Sequence, residues 1–238
     1  MADFDAVLFD AGGVLVVPSP EAVGPTIARF GGDSSVETLY RAHFVAAHAM
    51  DNARADGTEA DWHAYARGYT AAAGIEGDEE AIEAFHAAFD HWMWHHPVPG
   101  ARDALAGLSE RGVPIGIVSN AAGQVEDELS RLGIAAVAND AAVRVACVVD
   151  SHVVGVAKPD PRIFEGALAA LGMPASARIA YVGDTVFYDV RAAAAAGLTP
   201  LLHDPFGFHL ADPHPSGPHR TLPGLEALHD LVRPVRPV

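Results

Sequence analysis

Four short apolar runs in this chain each stop at a polar residue or a glycine, and this repeated arrangement restricts the fold more than any other feature. Residues 6–9 run into Asp10, 114–118 into Ser119-Asn120, 178–182 into Gly183-Asp184, and 199–202 into His203-Asp204. A run that is apolar at every position, rather than at alternate ones, belongs to a strand buried on both faces, as in a parallel sheet. Residues 143–149 read as a further strand. Helical segments fall between these runs. Residues 101–111 carry Leu105 and Leu108 on one face and end at Gly112, while 124–132 end at Gly133 and 187–196 at Gly197. Glycine is the usual residue just past a helix end. After Lys158, Asp160 is placed as an N-cap and Pro161 at the first helical position, ahead of Ile163, Phe164, Ala167 and Leu168 at helical spacing. Alternating strand and helix implies right-handed crossovers. The expected fold is therefore α/β, a doubly wound parallel sheet of Rossmann-like type.

One interval breaks the alternation. Asp10 and Ser119 are 109 residues apart, whereas a strand-helix-strand crossover takes ~30. The surplus reads as helices. Ser34-Ser35-Val36-Glu37 has the form of a capping box before Leu39, Tyr40, Phe44 and Ala47. Thr58-Glu59-Ala60-Asp61 resembles a second, before Trp62, Tyr65 and Tyr69. Asp78 caps a third segment with Ile82, Phe85, Phe89, Trp92 and Met93 on one stripe. The expected division is a core of residues 1–15 and 97–238 with an all-helical subdomain at 16–96. The aromatic stripes are expected to form the core of that subdomain. Residues 204–223, rich in Pro, His and Gly, read as surface loop, with a short last helix over 225–232.

Charge and cysteine usage exclude several classes. Fifteen Lys and Arg against thirty-one Asp and Glu give a net charge of −16, which disfavours a nucleic-acid partner. Any anionic ligand needs a metal and local cations to invert the field at its site. Cys147 is the single cysteine, so no internal disulfide forms and a reducing, cytoplasmic setting is expected, with the thiol buried in its apolar run. No apolar stretch approaches the ~20 residues of a membrane span, and the start shows no secretory signal. The oligomeric state is left open, with a homodimer compatible.

Asp10, Ser119 and Asp184 each follow an apolar strand, where ligands bind in open α/β sheets. Singly, each could be a turn or cap residue. Together with their surroundings they carry a resemblance. LFDAGGVL around Asp10, GIVSN around Ser119, VAKPDPRIF around Lys158 and VGDTVFYDV around Asp184 and Asp189 match, in order, four motifs of the haloacid dehalogenase (HAD) superfamily. PVPGARDALAGLSERG before the second motif looks like the same group, whose members carry a helical cap after the first strand. The resemblance implies Asp10 as nucleophile, Ser119 with Asn120 as phosphate-binding residues, and Lys158 as the cation beside them. It further implies Mg²⁺ held by Asp10, Asp184 and the carbonyl of Gly12, with Asp189 orienting Lys158 or a metal-bound water. The expected activity is a phosphatase acting on a small phosphorylated metabolite through an aspartyl-phosphate.

One position departs from the pattern. Many phosphatases of that superfamily carry a second Asp two residues after the nucleophile, which protonates the leaving alkoxide and then activates water. Here Gly12 stands there, and acid–base assistance worth ~10²–10⁴-fold has no side chain to supply it. Three readings follow: a phosphatase using another group or a weakly basic leaving group such as an anomeric or acyl phosphate, a 2-haloacid dehalogenase, or a binding module with little turnover. His91, His95 and His96 cluster near the expected hinge and read as hinge or surface histidines, one of which could replace the acid on closure. Gly12-Gly13 reads as conformational freedom where the chain leaves the strand.

Overall fold

Strand β1 (Ala6–Phe9) is buried at every position because parallel neighbours flank both its edges and helices cover both its faces. The computed structural model describes residues 4–53, 60–211 and 219–233. After β1 the chain forms β2 (Val16–Pro18), then helices α1 (Pro20–Arg29), α2 (Val36–Ala53), α3 (Trp62–Ala72) and α4 (Glu79–Ala88), then β3 (Trp94–Pro97). It continues through α5 (Ala101–Glu110), β4 (Ile115–Ser119), α6 (Val125–Arg131), β5 (Ala135–Ala136), β6 (Val143–Arg144), β7 (Val148–Asp150) and α7 (Ser151–Val154). The last elements are α8 (Glu165–Leu171), β8 (Ile179–Gly183), α9 (Arg191–Ala195), β9 (Thr199–His203), α10 (Phe208–Ala211) and β10 (Arg220–Leu222).

Six strands form one sheet in the order β10-β9-β8-β1-β4-β7, and every pairing in it is parallel. From β1 the chain builds outward through β4 and β7, then crosses back to build β8, β9 and β10 on the other side. This reversal at β1 is the switch point at which α/β sheets open a crevice beyond their carboxyl ends. Along β1 the side chains alternate between the two faces. Val7 and Phe9 pack with Leu105 and Leu108 of α5, and Ala6 and Leu8 with Phe164, Ala167 and Tyr181. The unbroken apolar run follows from needing both faces.

Helices α1–α4 have an apolar cluster of their own. Leu39, Ala42, Ala46 and Met50 of α2 meet Tyr65 and Tyr69 of α3 and Ile82 and Phe85 of α4, with the Tyr69 and Phe85 rings stacked at 4.6 Å. Asp61 caps α3 by accepting from the Ala64 N–H, and Asp78 caps α4 through Ala81. At α2, Ser35 rather than Ser34 does this work, its hydroxyl accepting from Thr38 N at 3.4 Å. Thr58 and Glu59 lie outside the described residues. Strands β2 and β3 pair antiparallel where the chain leaves and re-enters the α/β layer.

Several expectations need correction. Residues 143–149 are two strands, not one. β6 pairs with β5 and β7 with β4, while Val145 between them turns into the core. Cys147 in that break is half-buried rather than buried. The segment 187–196 starts as a π-helical turn, Val186–Val190, before α9, and a 3-10 turn, Pro161–Phe164, precedes α8. Residues 204–223 are not all loop: they contain α10 and β10, and β10 closes the edge of the sheet on β9. The last segment is a 3-10 turn, Leu225–Asp230, whose Leu228 is buried against the sheet layer. Among the described residues no helix is long and apolar enough to cross a membrane.

Candidate active site

The carboxyl ends of β8, β1 and β4 lie side by side, so Asp184, Asp10 and Ser119 are brought to one edge of the sheet by register alone. Asp10 continues the ladder, its N–H donating to Val182 O at 2.8 Å, and its Oδ1 accepts from the N–H of Ala11 at 2.7 Å. The free oxygen, Oδ2, stands 2.7 Å from Nζ of Lys158.

Lys158 is the electrostatic centre of the cluster. Its ammonium, side chain 1% exposed, also contacts Asp189 Oδ1 at 2.6 Å and donates to the Tyr181 hydroxyl at 2.8 Å. The Tyr181 hydroxyl in turn lies 2.9 Å from Val118 O. Asp189 is saturated on both oxygens: Oδ2 accepts from Asp184 N, Thr185 N and the Thr185 hydroxyl, at 3.2, 3.0 and 2.6 Å. The main chain of Lys158 is clasped by Asn120, whose amide donates to Lys158 O at 3.0 Å and accepts from Lys158 N at 2.8 Å.

A side chain from the helical layer completes the cluster. His43 of α2 is buried, with Nε2 3.1 Å from Asp184 Oδ2 and Nδ1 2.9 Å from the Tyr65 hydroxyl. Eight residues on, Asp51 accepts from the N–H groups of Val186 at 2.7 Å and Phe187 at 2.9 Å. Helix α2 thus grips the loop after β8 at two places, one at each end of the 184–187 segment.

Burial sets the titration of these groups. It pushes Asp10 up to about 7, with Lys158 pulling the other way and Asp189 and Asp184 adding to the rise. Burial and the neighbouring Asp189 hold Asp184 well above the usual carboxylate range. Burial also opposes ionisation of Asp189, but the Lys158 ammonium outweighs it and Asp189 lies below its ordinary value. Burial works against the Lys158 charge, yet Asp10 and Asp189 raise it to about 12. Burial takes His43 down to about 3, so the ring is neutral near pH 7. With Asp184 ionised, Nε2 carries the proton and Nδ1 accepts from Tyr65.

Three buried carboxylates, Asp10, Asp184 and Asp189, place one oxygen each within 4.8 Å of one another, and one ammonium lies among them. That leaves carboxylates outnumbering cations in a buried cluster, an imbalance a hard cation would offset. The donors are oxygens, a set suited to Mg²⁺ rather than to softer metals. Both oxygens of Asp189 are already engaged by Lys158, Tyr181 and the loop, so Asp10 and Asp184 are the carboxylates with capacity to spare. Gly13 makes the approach possible: at φ +69°, a β-carbon there would fall 2.1 Å from Asp184.

A cavity of about 270 Å³ opens onto this cluster, and Asp10, Gly12, Ser119, Asn120, Lys158 and Asp184 all line it, whereas Asp189 stands behind Lys158. His43, Trp94 and Asp51 were not singled out from the sequence, and Tyr65 was read there only as part of the core stripe of its helix. A lone histidine or aspartate on an amphipathic helix carries no spacing signal. His95 and His96 lie on β3 and do not line the cavity; among the described residues the histidine that lines it is His43.

Comparison with known proteins points one way. The family described as haloacid dehalogenase-like hydrolase matches residues 4–197. A haloacid dehalogenase-like hydrolase domain-containing protein 3 of Mus musculus is 38% identical over 104 residues, covering 43% of this chain and 38% of that protein. A phosphoserine phosphatase of Thermus thermophilus is 33% identical over 138 residues, 58% of this chain and 52% of that one. The chain thus spans about half the length, or less, of these curated relatives. The crystal structure of a HAD phosphatase from Thermococcus onnurineus superposes with a TM-score of 0.56 at 20% identity, covering 98% of this chain and all of the other, a likeness of fold.

Proposed function

Because the chain belongs to the haloacid dehalogenase-like hydrolases, we propose that it is a Mg²⁺-dependent phosphatase in which Asp10 attacks the phosphorus of a small phosphate monoester. The observation that carries this reading is the Lys158 ammonium, buried and bonded to both Asp10 and Asp189 at 2.7 and 2.6 Å. A carboxylate nucleophile facing a phosphoryl dianion needs its charge screened, and Lys158 is fixed where it can screen both.

In this reading each residue has a defined task. Asp10 Oδ2 is the attacking atom, and the bond from Oδ1 to the Ala11 N–H fixes the carboxylate plane. Ser119 and the N–H groups after β4 bind phosphoryl oxygens, and Asn120 holds the Lys158 loop in place besides lining the pocket. Asp189 orients Lys158 through a salt bridge buttressed by Tyr181 and Thr185. Mg²⁺ held by Asp10, Asp184 and the Gly12 carbonyl would supply Lewis-acid polarisation of the phosphoryl group. Residues 16–96 serve as the cap that excludes water over the site. The acidic surface and single cysteine fit a cytoplasmic protein with a small-molecule substrate.

The test is hydrolysis of p-nitrophenyl phosphate with Mg²⁺ or EDTA, beside Asp10→Asn. Turnover that requires Mg²⁺ and vanishes in Asp10→Asn is expected. Metal-independent turnover of 2-haloacids, with none on phosphate esters, would replace this reading by a dehalogenase.

A further inference from the structure

The wall of the cavity contributed by the helical layer and β3 is mostly apolar, His43 excepted. Ala47 and Met50 of α2, Trp62 and Tyr65 of α3, Phe89 and Trp94 line the cavity together with the catalytic cluster. The four aromatic rings form one contiguous surface, with centroids 5.3 Å apart for Trp62–Tyr65, 5.1 Å for Tyr65–Phe89 and 5.8 Å for Phe89–Trp94. Its polar tips are engaged: the Tyr65 hydroxyl with His43 and the Trp62 indole with the Tyr188 hydroxyl.

Charge narrows the choice further. Among the described residues lining the cavity, Lys158 is the one cation, and Asp10 and Asp189 already hold it. Helix α6 adds Glu128 to the lining, and Glu128 is paired with Arg131. A second carboxylate or phosphate on the substrate would have no countercharge.

Gly12 bears on the leaving group directly. A β-carbon at Gly12 would stand 3.3 Å from Cε3 and Cζ3 of Trp94, so a side chain at this position would press on the indole. With no acid at Gly12, an ester that releases a weakly basic oxygen is favoured. A phenol of the tyrosine kind has a pKa of about 10, against roughly 15.7 for water as a hydroxylic reference.

We propose that the substrate is a phosphate monoester of an aromatic hydroxyl bearing no further charge. This rests on the phosphatase reading above and specifies its substrate. Asp10 Oδ2 forms the bond to phosphorus while the P–O(aryl) bond breaks, and the electron pair leaves as aryloxide, which takes its proton from solvent. Water then attacks phosphorus, breaks its bond to Asp10, and yields hydrogen phosphate, a proton and the free carboxylate. The ring lies against Trp62, Phe89 and Trp94, and the departing oxygen faces Trp94 and Gly12.

The experiment compares phenyl phosphate with benzyl phosphate, which adds one methylene and makes the leaving group an alkoxide, using the full chain with Mg²⁺. Acetyl phosphate and phosphoserine complete the panel, with phosphoryl-Asp10 followed by intact mass after acid quench. kcat/KM for phenyl phosphate is expected to exceed that for benzyl phosphate by at least about 100-fold, the scale of an absent general acid, and to fall steeply across phenols of rising pKa. Trp62→Ala is expected to raise KM for phenyl phosphate about 10-fold while leaving that for acetyl phosphate little changed. Equal turnover of benzyl and phenyl esters, or a preference for phosphoserine, with phosphoryl-Asp10 formed, overturns the aryl assignment and leaves the phosphatase standing. No phosphoryl-Asp10 and no turnover with any ester overturns both.

Discussion

The imidazole Nε2 of His43, on a helix of the inserted layer, lies 3.1 Å from Oδ2 of Asp184, at the carboxyl end of a core strand. Asp184 has Lys158 nearby but no direct ammonium contact among the described residues, so the ring is the side chain that orients its second oxygen. In the proposed Mg²⁺ site such an outer partner would fix Asp184 as a ligand, and losing a partner of this kind typically weakens metal binding ~10–100-fold. His43→Ala is therefore expected to raise the Mg²⁺ dissociation constant by about an order of magnitude, read by titration calorimetry without substrate. His43→Gln, which keeps a donor, should recover part of the loss. Unchanged Mg²⁺ affinity in His43→Ala would show that the ring plays no part in the metal site.

Lys158 answers a larger imbalance. Removing it leaves Asp10, Asp184 and Asp189 buried together with no cation, and breaking a buried pair from one side typically costs ~3–5 kcal/mol. Lys158→Met, which keeps the volume, is expected to lower the unfolding free energy by about that amount in urea denaturation. Saturating Mg²⁺ should restore part of it, because a divalent ion relieves the same excess. A variant as stable as the parent in EDTA would mean that the carboxylates are held protonated or solvated.

The sheet was readable from the sequence because its signal is local. The run at 6–9 needs two buried faces, and only a central parallel strand supplies them. The polar residues after β1, β4 and β8 converge because register carries them to one edge. The run at 143–149 misled for a physical reason: apolarity tells that a segment is buried, not which neighbour it pairs with. There Val143 joins β5 and Val148 joins β4. Strand β10 was hidden by its setting, since a three-residue edge strand among Pro, His and Gly has no pattern of its own. His43 and Asp51 were illegible for another reason. Their meaning lies in contacts 141 and 135 residues away, which no window along the chain contains.

His203 gives the stability a pH dependence of known sign. Burial takes its folded pKa down from 6.5 to about 4, while Nδ1 rests 3.0 Å from Gly13 O. The unfolded chain binds this proton first as pH falls, so the contribution is complete above pH ~6.5 and is lost towards pH ~4, on the order of 3 kcal/mol. Asp51, raised by burial to about 7, works in the opposite direction, so the comparison needs a variant. The drop in urea midpoint between pH 7.5 and 4.5 should be smaller in His203→Gln than in the parent. Equal drops would mean that His203 protonates without penalty in the folded protein.

Asp51 tests whether helix α2 holds the loop after β8 in place. Its two oxygens accept from Val186 N and Phe187 N, and both groups lie in the buried segment that also carries Asp184. In Asp51→Ala those N–H groups lose their acceptor, at about 1–3 kcal/mol for each that stays buried and unpaired. The loop can escape that penalty only by opening to water, so local exposure is the sensitive readout. Hydrogen exchange at the Val186 and Phe187 amides is expected to accelerate well beyond that of the β1 amides, with a lower Mg²⁺ affinity as Asp184 loosens. Asp51→Asn, which keeps one acceptor, should fall between. If the two amides stay as protected in Asp51→Ala as in the parent, the π-helical turn holds itself, and helix α2 rests on it without fastening it.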